Sequence, residues 1–497
     1  MSEPPRSALL PAFCRAEPLR PACALVLALA LLFSGCSLVP AYKRPDAPLA
    51  QHFDGAASAL LADTTPVRSE WWRAYQDPAL NALVKRSLQN NFSLASAVAT
   101  VEEARGNAEK AGAPLYPSLT FGATYDRSHQ GGAGGKKGST GKSQSTFLEA
   151  SYEVDFWGLN AANANAAMLL AQASEFDRDT VALTLTASVT NTYFQIQSLR
   201  RRVMLARTIS TDAEHILQLL IAQKDAGVAT ELQIQQQRNA LATFQANVPV
   251  LQQQLDQSLH SLAVLTGSAP EQMNVGDVQL SAIPIPSVRP NLPASLLETR
   301  PDIRSKEATL QSANYSVGAA RAAYFPTLLL TADGGLSSGS LSHFLASPFA
   351  SIATSLAAPI FDGGALHGQL HANQAAVTKG VADYRQTIVT ALQDVEDSLT
   401  AAQQQQLAEA SDQTAADAAR QAATLAEAQY KFGTVDFLTV LDAQRTLYQA
   451  EDTLVQARLL RLQASVGLFR AFGGGFGVTD SAPQASPSSS QSNPGNS

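Results

Sequence analysis

The stretch Phe147-Leu-Glu-Ala-Ser-Tyr-Glu-Val-Asp-Phe156 alternates between two kinds of side chain. In a strand, successive side chains point to opposite faces, so the acidic residues would share one face and the apolar residues the other. Such alternation predicts a strand between an apolar and a wet environment. Its length suits a transmembrane strand of about 9–11 residues. A sheet in a water-soluble protein would show the same alternation, so both interpretations stay open for this stretch alone.

A long stretch without Gly or Pro follows at residues 159–226. It is rich in Ala, Leu and Gln, which favours one very long helix. At about 1.5 Å per residue, this helix would reach roughly 100 Å. Gly227 then interrupts, and helical composition resumes to about Leu265. The pattern predicts a long helical hairpin that turns at a glycine.

The second half of the chain repeats this order at an offset of roughly 206–209 residues. Tyr324-Phe-Pro-Thr-Leu328 mirrors Leu115-Tyr-Pro-Ser-Leu119, and Gly433 matches Gly227. A second stretch free of Gly and Pro occupies residues 381–432. Each half therefore predicts a helix, a β-hairpin, a long helix, a glycine turn and a helix. We assign the first repeat to 71–285, with its hairpin at about 117–156, and the second to 286–475, with its hairpin at about 326–361.

Four strands per chain are too few for a transmembrane barrel, because such barrels start at eight strands. Open sheet edges are also not tolerated in lipid. If the strands lie in a membrane, they must pair with strands of other copies, which predicts an oligomer.

The amino terminus has the features of a secretory signal peptide at residues 1–35. Basic residues precede an apolar stretch at 22–33 that is too short to span a membrane, and Ser34-Gly35-Cys36 follows. This arrangement resembles the bacterial lipobox, which implies S-diacylglycerol and N-palmitoyl groups on Cys36 and a lipid-anchored, extended segment at 36–70. Ser37, where an Asp favours inner-membrane retention, fits the outer membrane. The alternative is an ordinary cleaved signal with a chance cysteine.

Composition argues against several other classes of protein. The formal net charge of -7 gives no electrostatic reason to expect nucleic-acid binding. All three cysteines lie within the first 36 residues, so the body of the chain has no thiolate for a metal site. No nucleophile elbow, phosphate loop or His-Glu-x-x-His pair occurs, which predicts neither an enzyme nor a bound cofactor. The Ser- and Pro-rich tail at 476–497 is expected to be disordered.

Several stretches together resemble the outer-membrane efflux proteins of the TolC/OprM/NodT type, and their lipidated branch in particular. They lie at residues 36–45, 72–78, 148–158, 225–232, 292–297, 300–303, 318–326, 359–364 and 433–445. The resemblance implies a mainly α fold with transmembrane β-structure. It implies a homotrimer in which each protomer gives four strands to a twelve-stranded barrel and long coiled-coil helices to a periplasmic tunnel.

The function implied by this resemblance is the exit duct of a tripartite efflux pump, passively conducting drugs or other toxic small molecules across the outer membrane. A periplasmic adaptor protein and an inner-membrane transporter would be its partners. One alternative is the outer-membrane duct of a type I protein secretion system. The other is a periplasmic coiled-coil lipoprotein with no pore.

The resemblance also implies candidate functional residues. Asp442, Asp436 and Tyr430 would form the periplasmic gate, where symmetry-related carboxylates repel one another and attract cations. Val435 and Thr439 replace the gating charges of the TolC branch, which favours an OprM-like ring of aspartates over a salt-bridge latch. Gly227 and Gly433 mark the hairpin turns and candidate adaptor-docking tips. The remaining set, Glu149, Glu153 and Asp155, would line the barrel lumen. For each acidic set the alternative is an ordinary solvated face.

Overall fold

The computed structural model describes residues 38–47, 53, 69–131, 139–286, 293–340, 343, 345 and 347–475. Within this part the chain is mainly helical, with four strands. The predicted signal peptide at 1–35, the Cys36 lipidation site and the predicted tail at 476–497 lie outside the described residues.

The helices and strands follow the order of the predicted repeat. The helices are α1 (Pro78–Asn90), α2 (Phe92–Gly112), α3 (Leu159–Asp225), α4 (Glu231–Leu265), α5 (Leu296–Thr299), α6 (Pro301–Ala322), α7 (Ala365–Lys431) and α8 (Phe437–Ala471). The strands are β1 (Ser118–Gln130), β2 (Ser139–Val154), β3 (Thr327–Ser338) and β4 (Pro348–Ala357). A short 3₁₀-helix at Trp71–Tyr75 precedes α1.

The long helices of the two halves have equal lengths. Helices α3 and α7 each contain 67 residues, and α4 and α8 each contain 35. Helix α7 begins at Ala365, ahead of the stretch without Gly or Pro, and includes Gly380. A Cβ at Gly380 would lie 3.1 Å from Leu310 Cδ1, so glycine allows α6 and α7 to approach closely at this point. Of the described helices, none has a segment long and apolar enough to cross a membrane.

Helix α1 begins at Pro78, and Asp77 is its N-cap. The Asp77 carboxylate accepts hydrogen bonds from the backbone N–H groups of Ala79 at 2.8 Å and Leu80 at 3.2 Å. Its other oxygen accepts from the buried Tyr193 hydroxyl at 2.6 Å. Pro78 lacks the N–H that the first helical turn leaves unbonded. The cap therefore also attaches the start of α1 to α3.

The four strands form one antiparallel sheet in the order β1-β2-β3-β4. Ser118 pairs with Ser151, and Thr327 pairs with Ala357 at the corresponding place in the second hairpin. Strand β4 ends at Ala357, short of the predicted hairpin end at about 361, and residues 358–361 are exposed. Residues 358–361 therefore have no strand partner within the described chain.

Two compact units can be distinguished. The first contains the described residues among 38–41, 109–166 and 314–374, and includes the sheet. The second contains the described residues among 42–108, 167–313 and 375–475. Its largest core is built around an aromatic group in which Trp71 stacks on Phe469 with ring centroids 5.0 Å apart. Each unit draws on both sequence repeats, and the repeat boundaries assigned above remain predictions.

Candidate functional sites on the sheet and at the helix turns

The two faces of the sheet differ in chemistry. Paired residues on neighbouring strands point to the same face, so the register assigns each side chain to one of them. The exposed large side chains of the apolar face are Leu119, Phe121, Tyr125, Leu148, Leu330, Ile352 and Leu356. The opposite face carries Thr120, Thr124, Ser145, Glu149, Glu153, Asp333 and Ser351. In water, a sheet with an exposed apolar face would be unfavourable, because contact between apolar surface and water costs free energy that burial of that surface would remove.

Glu149 lies in a row of polar residues that crosses all four strands. It pairs with Thr120 on one side and with Asp333 on the other, and Asp333 pairs with Ser351. The Ser351 hydroxyl donates to Asp333 Oδ1 at 2.6 Å. Like charges directly opposite each other destabilise a sheet, so Glu149 and Asp333 require a wet environment. Asp333 is absent from the sequence-based set because only the pairing of β2 with β3 places it beside Glu149.

The other two predicted lumen residues differ from each other. Glu153 lies on the polar face, opposite Leu329. Asp155 lies beyond the end of β2, and its carboxylate accepts from the backbone N–H groups of Asn160 at 3.1 Å and Ala161 at 2.7 Å. The sequence alternation placed Asp155 on the strand, and that detail is wrong. The carboxylate accepts hydrogen bonds from the otherwise unpaired amides at the start of α3, where a negative charge also interacts favourably with the helix dipole.

The two glycine turns have the same backbone geometry. Gly227 and Gly433 have positive φ angles of 78° and 71°. Their N–H groups donate to Lys224 O at 2.8 Å and to Tyr430 O at 2.9 Å. The next N–H in each turn also bonds back into the preceding helix, from Val228 to Gln223 O and from Thr434 to Gln429 O. This left-handed helix end favours glycine, because a Cβ there would approach the following carbonyl oxygen.

The first turn, residues 224–231, is closed by charged and polar side chains. Lys224 Nζ forms an ion pair with Glu231 Oε2, and both side chains are about half exposed. Thr230 and Gln233 form a capping box at the start of α4. The Lys224 ammonium and the Gln235 amide lower the pKa of Glu231 below its ordinary value. We call residues 224–231 the first tip.

The second turn, residues 430–437, is closed by aromatic side chains, and we call it the second tip. Tyr430 packs edge-to-face on Phe437, with ring centroids 5.8 Å apart. Phe437 is 2% exposed and belongs to a core cluster shared with Leu220 of α3 and Ile234 of α4, the first helical hairpin. The Tyr430 hydroxyl donates to Gln223 Oε1 at 3.3 Å, and burial raises its pKa. The second tip is therefore attached to the first hairpin.

The two predicted gate aspartates have different surroundings. Asp436 is the N-cap of α8: its Oδ1 accepts from the Thr439 hydroxyl at 2.7 Å and from the Thr439 N–H at 2.9 Å. These bonds lower the pKa of Asp436. Asp442 lies on the exposed side of α8, between the buried Leu441 and Gln444. The structure thus gives Asp436 a capping role, and it leaves the Asp442 carboxylate solvent-accessible.

The described part of the amino-terminal segment, 38–47, contains neither helix nor strand. In the first unit, Val39 packs at Gly318, and Pro40 O accepts from Asn314 Nδ2 at 2.7 Å. In the second unit, Arg44 makes a bidentate ion pair with Glu307 at 2.7 and 2.8 Å. These contacts hold residues 39–44 in place. Across the described residues, no group of three or more His, Cys, Asp or Glu side chains could hold a metal ion.

Comparison with known proteins identifies the family. The family model for the outer membrane efflux protein matches residues 83–268 and 292–474. The chain belongs to the outer membrane efflux protein family. The resemblance predicted from the sequence is confirmed, and with it the outer-membrane location.

Relatives and solved structures of this family match along most of the chain. The pyoverdine export outer membrane protein OpmQ of Pseudomonas aeruginosa is 37% identical, over 90% of this chain and 96% of its own. The toluene efflux pump outer membrane protein TtgC of Pseudomonas putida is 32% identical, over 90% and 94%. The outer-membrane channel OprN has a TM-score of 0.83 at 29% identity, covering 88% of this chain and 99% of its own. The mainly α fold with strand hairpins is that of an efflux-family outer-membrane channel.

Proposed function

We propose that this efflux-family protein is the passive exit duct of a tripartite pump, without enzymatic activity. In this proposal three copies assemble, their twelve strands close a barrel in the outer membrane, and their long helices form a tunnel in the periplasm. The observation that carries the proposal is the four-stranded sheet with one exposed apolar face and one acidic face. Lipid on the apolar side and water on the acidic side satisfy both faces at once.

The open edges of the sheet support assembly. Strand β1 and strand β4 each have a neighbour on one side only within the described chain. Unpaired backbone groups cost several kcal/mol each in hydrocarbon, so a spanning sheet must close. A single copy cannot close on itself with four strands, because small transmembrane barrels need about eight.

The gate assignment rests on the second tip and on the first turns of α8, which follows it. We propose that Asp442 forms the constricting ring and that the Tyr430–Gln223 hydrogen bond holds the closed state. Asp436 serves the gate indirectly, because its carboxylate caps the helix that carries Asp442. Together with Asp333, the carboxylates of Glu149 and Glu153 would give the barrel lumen its acidic lining.

The anchor and the partners complete the proposal. Cys36 would carry the S-diacylglycerol and N-palmitoyl groups, which hold the protein to outer-membrane lipid at about 0.8 kcal/mol per buried CH₂. The tips around Gly227 and Gly433 would meet a periplasmic adaptor, and an inner-membrane transporter would supply the cargo. Loss of radiolabelled palmitate in a Cys36→Ser variant tests the anchor; palmitate retained in that variant would place the acyl group elsewhere.

Planar-bilayer recording of the purified assembly tests the duct. We expect pores, and we expect Asp442→Ala to raise the mean conductance and to lower cation selectivity, because the variant removes the ring of carboxylates. Asp397→Ala, at an exposed carboxylate on α7, is the matched control and should leave the recordings unchanged. A protein that never conducts, with or without Asp442, would instead be the non-porous coiled-coil lipoprotein.

Export from intact cells tests the cargo. The OpmQ relative is named for pyoverdine export and the TtgC relative for toluene efflux, so these two compounds are the first to measure in a strain without the gene. We expect small molecules to accumulate in that strain and to leave again on complementation. If a secreted protein disappears from the medium instead, while small-molecule export is unchanged, the type I secretion duct is the correct alternative.

A further inference from the structure

Two cationic side chains lie directly opposite each other near the end of the first hairpin. Arg127 of β1 pairs with Lys142 of β2, and both are exposed. Opposite residues on one face have Cβ atoms about 4.5–5.5 Å apart, and like charges at this spacing destabilise a sheet. Among the residues that the structure describes, neither side chain forms an ion pair or a side-chain hydrogen bond. An anion bound between the two cations would remove their repulsion.

Both cations lie on the apolar face of the sheet. Odd-numbered residues of β1 share this face, which runs from Leu119 through Tyr125 to Arg127. Asp126, the acidic residue next to Arg127 in the chain, alternates onto the opposite face. In the proposed barrel the apolar face meets lipid and the opposite face meets the lumen. The cation pair therefore does not line the conduit, and an anion that binds it must approach from the lipid side.

The connections of the strands place the pair at the outer side of the membrane. One end of each strand leads to α2, α3, α6 or α7, and the other end leads to its hairpin partner. In the proposed duct these helices lie in the periplasm, so the hairpin ends lie at the cell exterior. At about 3.4 Å per residue and a tilt of about 40°, roughly 20 Å of depth separates Leu119 from Arg127. An apolar band is about 25 Å tall, and long cationic side chains extend from it towards charged headgroups.

We infer that Arg127 and Lys142 bind the phosphate of a lipid headgroup in the outer leaflet of the outer membrane. A guanidinium donates two parallel hydrogen bonds to phosphate oxygens, and an ammonium adds a compact charge. His129 and Thr140 form the next pair on this face, with Nδ1 and Oγ1 3.0 Å apart, and can donate further hydrogen bonds. The acyl chains of the lipid would lie along Tyr125 and the apolar residues that precede it. This inference rests on the proposed duct and adds a ligand to its outer surface.

The second hairpin provides an internal comparison. Strand β3 follows β1 by 209 residues and β4 follows β2 by 206, measured between the first pairs of the two hairpins. These offsets relate Arg127 to Leu336 and Lys142 to Pro348, and Leu336 and Pro348 also lie directly opposite each other. A duplicated backbone thus carries two cations in one hairpin and two apolar residues in the other. The sheet itself does not require charge at this position, so the cations need a reason of their own.

Lipid binding to the purified, detergent-solubilised assembly tests the site. The probe is lipid A that carries both of its phosphates, and native mass spectrometry measures the lipid A concentration at half-saturation. We expect Arg127→Gln/Lys142→Gln to raise that concentration at least tenfold, because both phosphate-binding groups are lost. Lys85→Gln/Arg86→Gln removes two exposed charges from α1 and should leave it unchanged. Equal binding by the unmodified chain and the Arg127/Lys142 variant overturns the site.

Two further probes identify the source of the phosphate. Lipid A without phosphates keeps its acyl chains, and we expect it to bind the unmodified chain at least tenfold more weakly than intact lipid A does. Millimolar inorganic phosphate should leave intact lipid A bound, because acyl contacts with the apolar face add to the headgroup contacts. Undiminished binding of the phosphate-free lipid, or displacement of lipid A by inorganic phosphate, would contradict a site for a phosphorylated lipid.

The second hairpin also allows a gain of binding. Leu336→Arg/Pro348→Lys places a cation pair at the matched positions, at the same depth and on the same face. The number of tightly bound lipid A molecules per copy should double in this variant. An assembled variant that binds no additional lipid A would show that a cation pair at this depth is not what holds the lipid.

Conductance of the unmodified chain separates this inference from the proposed function. Lipid A binding that is independent of Arg127 and Lys142, in an assembly that conducts, overturns the lipid site and leaves the duct intact. A protein that never conducts contradicts the duct itself, whatever lipid it binds.

Discussion

The two tips share a backbone and differ in what closes them. Their glycines, their helix-end hydrogen bonds and their N-caps correspond at an offset of 206 residues. At the matched positions, the first tip pairs Lys224 with Glu231, and the second pairs Tyr430 with Phe437. A duplicated backbone therefore carries an exposed ion pair at one turn and, at the other, an aromatic pair in which Phe437 is buried and Tyr430 is partly buried.

The two tips occupy matched positions in the repeat, but the contacts that close them stabilise them to different degrees. An exposed ion pair is screened by salt and contributes little, because water competes for both charges. The aromatic pair is continuous with a core cluster, and Tyr430 also bonds to Gln223 of the first hairpin. The second tip, which leads into the helix that carries the proposed gate residue Asp442, is thus the one that is packed against the rest of the helical unit.

Replacement of the buried aromatic residue should have the largest effect. Phe437→Ala removes a ring that is 2% exposed, and loss of a buried Phe typically costs about 3–5 kcal/mol. We expect faster hydrogen exchange across residues 428–442 and a higher open probability in bilayers. Glu231→Ala, at the matched position of the first tip, should change neither. Equal loosening by both variants would contradict the comparison.

Substitution of the turn glycines should have a smaller effect, equal at the two tips. Gly227→Ala and Gly433→Ala each place a Cβ on a left-handed residue, at about 1–2 kcal/mol, although space around both is open. Exchange rates of the adjacent turns should rise by the same factor. Gly112→Ala is the control, because its φ of -79° suits any residue. An effect at only one tip would mean that tertiary contacts, not the turn, set its conformation.

Salt should have the smallest effect and should act on one tip alone. Raising NaCl to 1 M shortens the Debye length to about 3 Å, which weakens the Lys224–Glu231 attraction and leaves the Tyr430–Phe437 contact intact. We expect a modest rise in amide exchange at 224–231, measured against a Lys224→Met variant that should not respond. Salt-dependent exchange at 430–437 would show that charge also closes the second tip.

Local sequence patterns were sufficient to predict much of the fold. A stretch without Gly or Pro predicted α3 to within a residue of its end, and the glycine turns follow from the one residue type that a left-handed helix end favours. Helix α7 begins at Ala365, ahead of the stretch without Gly or Pro at 381–432, and close packing against Leu310 accounts for the glycine at Gly380. A glycine in a sequence does not by itself show whether a helix ends there or whether a neighbouring helix packs closely against it.

The candidate sites also contain residues that local sequence patterns predict and residues that only the tertiary structure reveals. Alternation alone predicted that Glu149, Glu153 and Asp155 share one face of a strand. Glu149 and Glu153 lie on the polar face of the sheet, Asp155 instead caps α3, and a role in a barrel lumen stays a prediction. Asp333 and Gln223 were not found, because each acquires its role from a partner far away in the chain. Cys36 and the conduction pathway stay predictions.

By itself, the sequence determined the order of elements, the duplication and the two chemistries of the strands, since these depend on the spacing of residues a few positions apart. Only the tertiary structure decided the sheet register, the opposition of Glu149 and Asp333, and the contrast between the tips. The physical reason is that hydrogen bonding and packing join distant segments, and the free energy of those contacts is not encoded in any local period.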